Sequence, residues 1–339
     1  MGTVNKTGFK DVKAAKEENG ESITEISGGI KKLYELGKVL PLYKKFLEKA
    51  REQAYKIKSG HGLNPSEILP YIRYSIELDL INDLYNYSIL VHGGRDDLVT
   101  QTVAVTFASM KVGKGLQYDD KRVLDLGLAA FFENVGMYKL PQDILDKENS
   151  LNKWEKDLIR QHPVFGHELL SGVEAQYDWH ADIALQAHER YDGLGYPFGL
   201  AGEEIREEAL IIGLMDRYVA MCSDRPYRKR SMPPEVVKYI LGDGKKSMEP
   251  GRLKAFLEQI SLFPVNTMVK LNNQCTGRVI SANEKNPFRP AVEILYDSSG
   301  NKVKEAEIIN LIETPLYYIS QTVDETVLLD KGAQNRGRK

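Results

Sequence analysis

The stretch AHERYDGLGYPFGLAGEEI, residues 187–205, sets Gly193, Gly195, Gly199 and Gly202 around Pro197. No regular helix survives that density of glycine and proline. Between Tyr191 and Gly202 the chain is therefore an ordered loop whose backbone can approach a ligand or partner closely. Helical signals stand on both sides of it. Upstream, Asn152 precedes Glu155 by three, a capping-box start for a helix carrying Leu158, Ile159 and His162. Downstream, an apolar helix beginning at Ala209 carries Asp216, and Pro233-Pro234 opens a helix through Val236, Val237, Tyr239 and Ile240.

Five segments follow from this pattern. Residues 1–22 are rich in Lys and Glu and poor in large apolar side chains, as in a disordered leader. Over 23–88 apolar residues recur at threes and fours, from Leu33, Leu36, Val39, Leu40 and Tyr43 to Ile68, Tyr71, Ile72, Ile76 and Leu80. This helical segment forms a bundle of its own or a lead-in to the next domain. Residues 89–262 form a longer helical domain. From 263 to 316 the period shortens to strands, VNTMVKL, CTGRVIS, AVEILYD and EIINLIE, so a small antiparallel β domain is expected. Residues 317–339 read as a solvated tail. The fold class is mainly α, with a small C-terminal β domain.

Composition narrows function. Lys and Arg number 46 against 48 Asp and Glu, a formal charge of −2, which argues against a surface built for nucleic acid. No apolar run approaches the roughly 18 residues of a membrane span, and the first residues lack the apolar core of a signal peptide. Cys222 and Cys275 fall in different segments, so a disulfide is not expected and a cytoplasmic location is.

The 187–205 block resembles the signature of the HD-GYP family, bacterial metal-dependent phosphodiesterases that hydrolyse cyclic di-GMP. His188, Glu189, Asp192, Gly193, Gly195, Tyr196 and Pro197 match, and Ala187 stands where that family has its first histidine. LAAFFENVGMYKLPQDIL, residues 128–145, is similar to the family's HD segment, with Glu133-Asn134 in place of His-Asp and Met137 in place of a phosphate-orienting lysine. The resemblance implies an HD-type helical bundle. It matches His162, His188 and Asp216 to metal ligands and places Gln101 at a lost ligand histidine. It also likens Arg225 and Arg228, in DRPYRKR, to a basic pair that grips nucleotide phosphates, and Tyr196 to a residue that stacks on a base or shapes the loop.

Two metals in such a site activate a bridging water and offset phosphoryl charge. Asn134 offers only a neutral carbonyl and cannot bridge as aspartate does, Gln101 is likewise neutral, and Ala187 contributes nothing. No tightly bound cofactor is expected, and any divalent cation (Mg, Mn or Fe) is expected to be weakly held. The leading expectation is a catalytically degenerate signalling protein that binds cyclic di-GMP or a protein partner. For the partner, the resemblance implies a diguanylate cyclase domain, met through a loop exposing Tyr196 and Phe198. One alternative is an active phosphodiesterase with a remodelled metal site, and a second is a scaffold without a nucleotide. Read without the resemblance, His162 before proline is structural, and Glu189 and Asp192 fasten the loop to its own backbone. Arg217 adjoins Asp216, but successive helix residues face different ways.

Overall fold

The computed structural model describes residues 37–92, 98–147, 149–223, 231–242, 250–260, 262–263, 265, 267–283 and 286–323. The expected leader, residues 23–36, and the pair Arg225 and Arg228 lie outside the described residues. From Leu42 onward the described residues belong to one compact unit.

The helices are α1 (Val39–Lys58), α2 (Leu69–Glu77), α3 (Ile81–His92), α4 (Leu98–Gly115), α5 (Asp120–Phe132), α6 (Lys153–Ile159), α7 (His162–Ser171), α8 (Asp178–Gln186), α9 (Glu207–Met221), α10 (Pro233–Gly242) and α11 (Pro250–Gln259). Helix α4 is the axis of the domain. Every residue from Thr100 to Gly113 is buried, as in a helix surrounded by others rather than one with a wet face. Helices α3, α5, α9 and α11 pack around it. Residues 42–88 share this core instead of building their own. Phe46 of α1 is fully buried, 4.6 Å from the ring of Phe107 and 6.3 Å from that of Phe131, which contributes about 1.5–3 kcal/mol for one such side chain.

Side-chain caps fix where helices begin. Asp119 accepts from Arg122 N at 2.7 Å to start α5, and Arg122 then reaches Glu207 at 2.5 Å and Glu208 at 2.7 Å in the first turn of α9. The Asn152–Glu155 capping box opens α6. That helix stops at Ile159, and His162 begins a separate one, a correction to the single helix expected. Pro163 has no N–H for the carbonyl of Ile159 four residues back, and His162 Nδ1 takes that carbonyl instead, at 2.7 Å.

The β domain is a five-stranded antiparallel sheet in the order β4-β3-β2-β1-β5, with β1 Met268–Leu271, β2 Thr276–Ser281, β3 Ala291–Tyr296, β4 Lys302–Asn310 and β5 Ile319–Thr322. The sheet runs past the expected boundary at 316, because β5 pairs with β1 through Val269 and Thr322. ISQT is short and polar and covers an edge, so it lacks the apolar alternation that marks the other strands. A cavity of about 180 Å³ lies between the sheet and the helices, lined by Asn82, Asn86 and Lys111 on one side and Ile280 and Ser281 on the other. No helix among the described residues is long and apolar enough to cross a membrane.

Candidate metal and nucleotide site

Six of the side chains singled out in the sequence meet at one end of α4. Gln101 sits in its first turn. Glu133 caps α5, and Asn134 starts the 3-10 turn Val135–Lys139 that follows. His162 opens α7, His188 follows the end of α8, and Asp216 projects from α9. The 3-10 turn lies against α7 so closely that a Cβ on Gly136 would overlap the backbone of His162 and Gly166. Only glycine allows that approach, and it sets the distance between the two halves of the site.

One half is built from amides and carboxylates. Gln101 Nε2 donates to Asp216 Oδ1 at 2.6 Å, and Asn134 Nδ2 donates to the same oxygen at 3.2 Å. Asn134 Nδ2 also donates to Glu133 Oε1. The other half is built from imidazoles. His162 Nε2 and His188 Nε2 face each other at 2.8 Å. Because His162 Nδ1 donates to Ile159, its Nε2 is bare and accepts from His188. The Tyr196 ring lies flat on His188, 4.9 Å away with an interplanar angle of 4°. Glu133 Oε2 joins the halves. It is buried without a hydrogen-bond partner and stands 3.7 Å from His188 Nε2.

Burial governs the charges. It pushes the His162 imidazole down to about 3, helped by the neighbouring His188. It pushes His188 down to about 4, helped by the charge of Arg217. Burial and then the charge of Asp216 raise the Glu133 carboxyl well above the usual carboxylate range. At neutral pH both imidazoles are therefore uncharged, and Glu133 keeps its proton to higher pH than a free carboxyl does. The charge of Arg217, next to Asp216 on α9, thus acts on His188, while the hydrogen-bond partners of Asp216 itself are Gln101 and Asn134.

A pair of metal ions does not fit these donors. Asp216 Oδ1 already accepts from two amide groups, the bridging position holds an asparagine whose NH2 faces both carboxylates, and Ala187, 1% exposed, brings no ligand. Among the described residues no three His, Cys, Asp or Glu side chains are grouped as ligands for an ion.

Above the centre, the loop is held by its own carboxylates. Buried Glu189 accepts from the backbone N–H of Phe198, Gly199 and Leu200 at 2.7, 3.2 and 3.0 Å. Asp192 accepts both arms of Arg190 at 3.0 and 2.6 Å, and Leu194 N at 3.2 Å. At Gly195 a Cβ would come within 2.5 Å of Arg190 N and Glu189 Cα, so the chain can fold back here only as glycine. The Tyr196–Pro197 peptide bond is cis. Tyr196 is half-buried by its stack on His188 and is not the exposed anchor expected; Phe198 and Leu194 are exposed, at 63% and 75%.

Residues 92–248 match the family described as HD domain, and residues 268–331 match the KOW domain associated with HD domain. Residues 92–248 of the helical region are an HD domain. This HD domain is similar in sequence to the cyclic di-GMP phosphodiesterase PA4108 of Pseudomonas aeruginosa, 29% identical over 62% of this chain and 50% of the relative. It is also similar to the cyclic di-GMP phosphodiesterase response regulator RpfG of Xanthomonas campestris pv. campestris, 35% identical over 42% of this chain and 38% of the relative. The chain thus spans half or less of the length of these two relatives. Among solved structures, Bd1817, an HDG"Y"P protein from Bdellovibrio bacteriovorus, aligns over 63% of this chain and 69% of its own with a TM-score of 0.47 and 15% identity.

The sequence reading passed over Arg160. Its guanidinium lies over the Tyr196 ring, 5.6 Å from the centroid. No sequence motif marks it, and the break between α6 and α7 that places it there was itself not expected.

Proposed function

We propose that this HD domain serves cyclic di-GMP signalling by binding the nucleotide, or a partner protein, without two-metal hydrolysis. The observation that carries this reading is the double amide contact to Asp216, from Gln101 at 2.6 Å and Asn134 at 3.2 Å. Two amide donors occupy Oδ1 of that carboxylate, and an asparagine stands where a bridging carboxylate would be needed, which favours binding over hydroxide-driven hydrolysis. The printed names of the relatives support cyclic di-GMP as the nucleotide. Exposed Leu194 and Phe198 support the loop as a contact for a protein partner, and the family resemblance favours a diguanylate cyclase domain.

A second reading, an active phosphodiesterase with a remodelled site, draws on the same names and on Glu133 Oε2. That buried oxygen lacks a hydrogen-bond partner and stands 3.7 Å from His188 Nε2, which in turn meets His162 Nε2 at 2.8 Å. Incubation with cyclic di-GMP and manganese separates the readings. The first expects bound nucleotide and no product. Linear dinucleotide or GMP, abolished by Asp216→Ala, establishes the second. Absence of binding leaves a protein scaffold.

A further inference from the structure

We infer that Arg160 is the residue that seizes the ligand's phosphodiester at the mouth of this site, an inference that rests on the nucleotide-binding reading above. Three guanidiniums bear on the centre, and their commitments differ. Arg190 spends both arms on Asp192, at 3.0 and 2.6 Å. Arg217 is half-buried and already engaged. Arg160 is exposed, forms no ion pair or side-chain hydrogen bond among the described residues, and is held only by the Tyr196 ring beneath it.

That support has a consequence for binding. An arginine on a flexible stem loses rotamer freedom when it grips an anion. A guanidinium resting on an aromatic face is already oriented, and its planar fork stays open at the edge for a bidentate phosphate. Tyr196 is itself fixed by its stack on His188, so the chain of contact from Arg160 through Tyr196 to His188 is continuous. Arg160 also stands two residues ahead of α7, whose N-cap Gln161 makes no side-chain bond. The positive end of that ten-residue helix adds to the same field.

Below Arg160, the Asp216 carboxylate is already engaged by its two amide donors. A site without metal charge needs a cation from the protein, and Arg160 is placed to supply it. The class of ligand is a phosphodiester with a flat base, since the same guanidinium–tyrosine pair offers an aromatic edge beside the anion seat.

Calorimetric titration of the full chain with cyclic di-GMP in EDTA tests this, using Arg160→Ala, Arg160→Lys and Lys156→Ala. Lys156 is an exposed cation on the neighbouring helix α6 and controls for loss of charge alone. Arg160→Ala is expected to weaken binding at least tenfold. Arg160→Lys should fall between that variant and the unchanged protein, and Lys156→Ala should stay within twofold. Equal effects of Arg160→Ala and Lys156→Ala, or none from either, overturn the inference while the nucleotide reading stands. If the unchanged protein takes up no cyclic di-GMP, the nucleotide reading itself falls and the inference with it. Melting temperatures of the same samples establish that each variant is folded.

Discussion

The two halves of the site answer the same problem, polar groups buried in a helical core, in opposite ways. Around Asp216 the solution is saturation, with amide donors from Gln101 and Asn134 on one oxygen. Around His162 and His188 the solution is neutrality, with both imidazoles held uncharged by burial and one carboxyl oxygen of Glu133 left without a partner. A saturated half resists a new ligand because existing bonds must break first. A neutral half with an unpartnered oxygen still has room in its energetics for a cation or a hydrogen-bonding guest. The difference between the halves lies in particular side chains, not in the scaffold that holds them.

The largest effect is expected where the halves are pressed together. Gly136→Ala forces a Cβ into the backbone of His162 and Gly166. Stability should drop by about 3 kcal/mol, read as a shift of the denaturation midpoint. An unchanged midpoint would mean that the halves are not held at this contact.

Asn134→Asp strikes the saturated half alone. It removes the NH2 group that serves Glu133 and Asp216 and adds a third carboxyl in its place. A loss of about 2 kcal/mol is expected without metal, with manganese recovering part of it. The combined variant Gln101→His with Asn134→Asp should recover more. Equal stability of variant and parent in EDTA would show that the amides are not what satisfies Asp216.

Titration sharpens the neutral half. Unfolded histidine takes up its proton near pH 6.5, whereas His162 and His188 hold out to about 3 and 4 in the fold. The unfolded state therefore binds more protons below about pH 6.5, and stability falls as pH drops from there towards 4. Glu133 works against this: its raised value keeps its proton in the fold, stability that is lost as pH rises past the unfolded value. Between pH 6.5 and 4.5 the two imidazoles lower stability as pH falls and Glu133 opposes them, so Glu133→Gln should steepen the slope. A slope unmoved by that substitution would mean that Glu133 titrates in the fold as it does in the unfolded chain.

The helices were legible because burial is periodic, and the loop because four glycines around a proline permit nothing regular. Gln101, Glu133, Asn134, His162, His188 and Asp216 could be named before their geometry was known, since each occupies a motif position. What the sequence did not reveal depends on contacts between distant segments. Arg160 acquires meaning only when the carbonyl of Ile159, freed by Pro163, turns to His162 and breaks the helix beneath it. Strand β5 is polar because it is an edge, and its pairing with β1 spans about fifty residues.

The smallest effect on stability is expected at the rim. Leu194→Ser with Phe198→Ser alters two exposed side chains and should change stability by no more than about 0.5 kcal/mol. Association with a diguanylate cyclase domain should nevertheless be lost. A marked fall in melting temperature with association intact would make these residues part of the loop's own packing.

Metal stoichiometry tests the saturated half most directly. After dialysis against manganese and gel filtration, elemental analysis of the full chain should find less than one tightly held transition metal per chain, because Asp216 and Asn134 remain bound to each other. Two equivalents retained through the column, and lost in Asp216→Ala, would contradict the account.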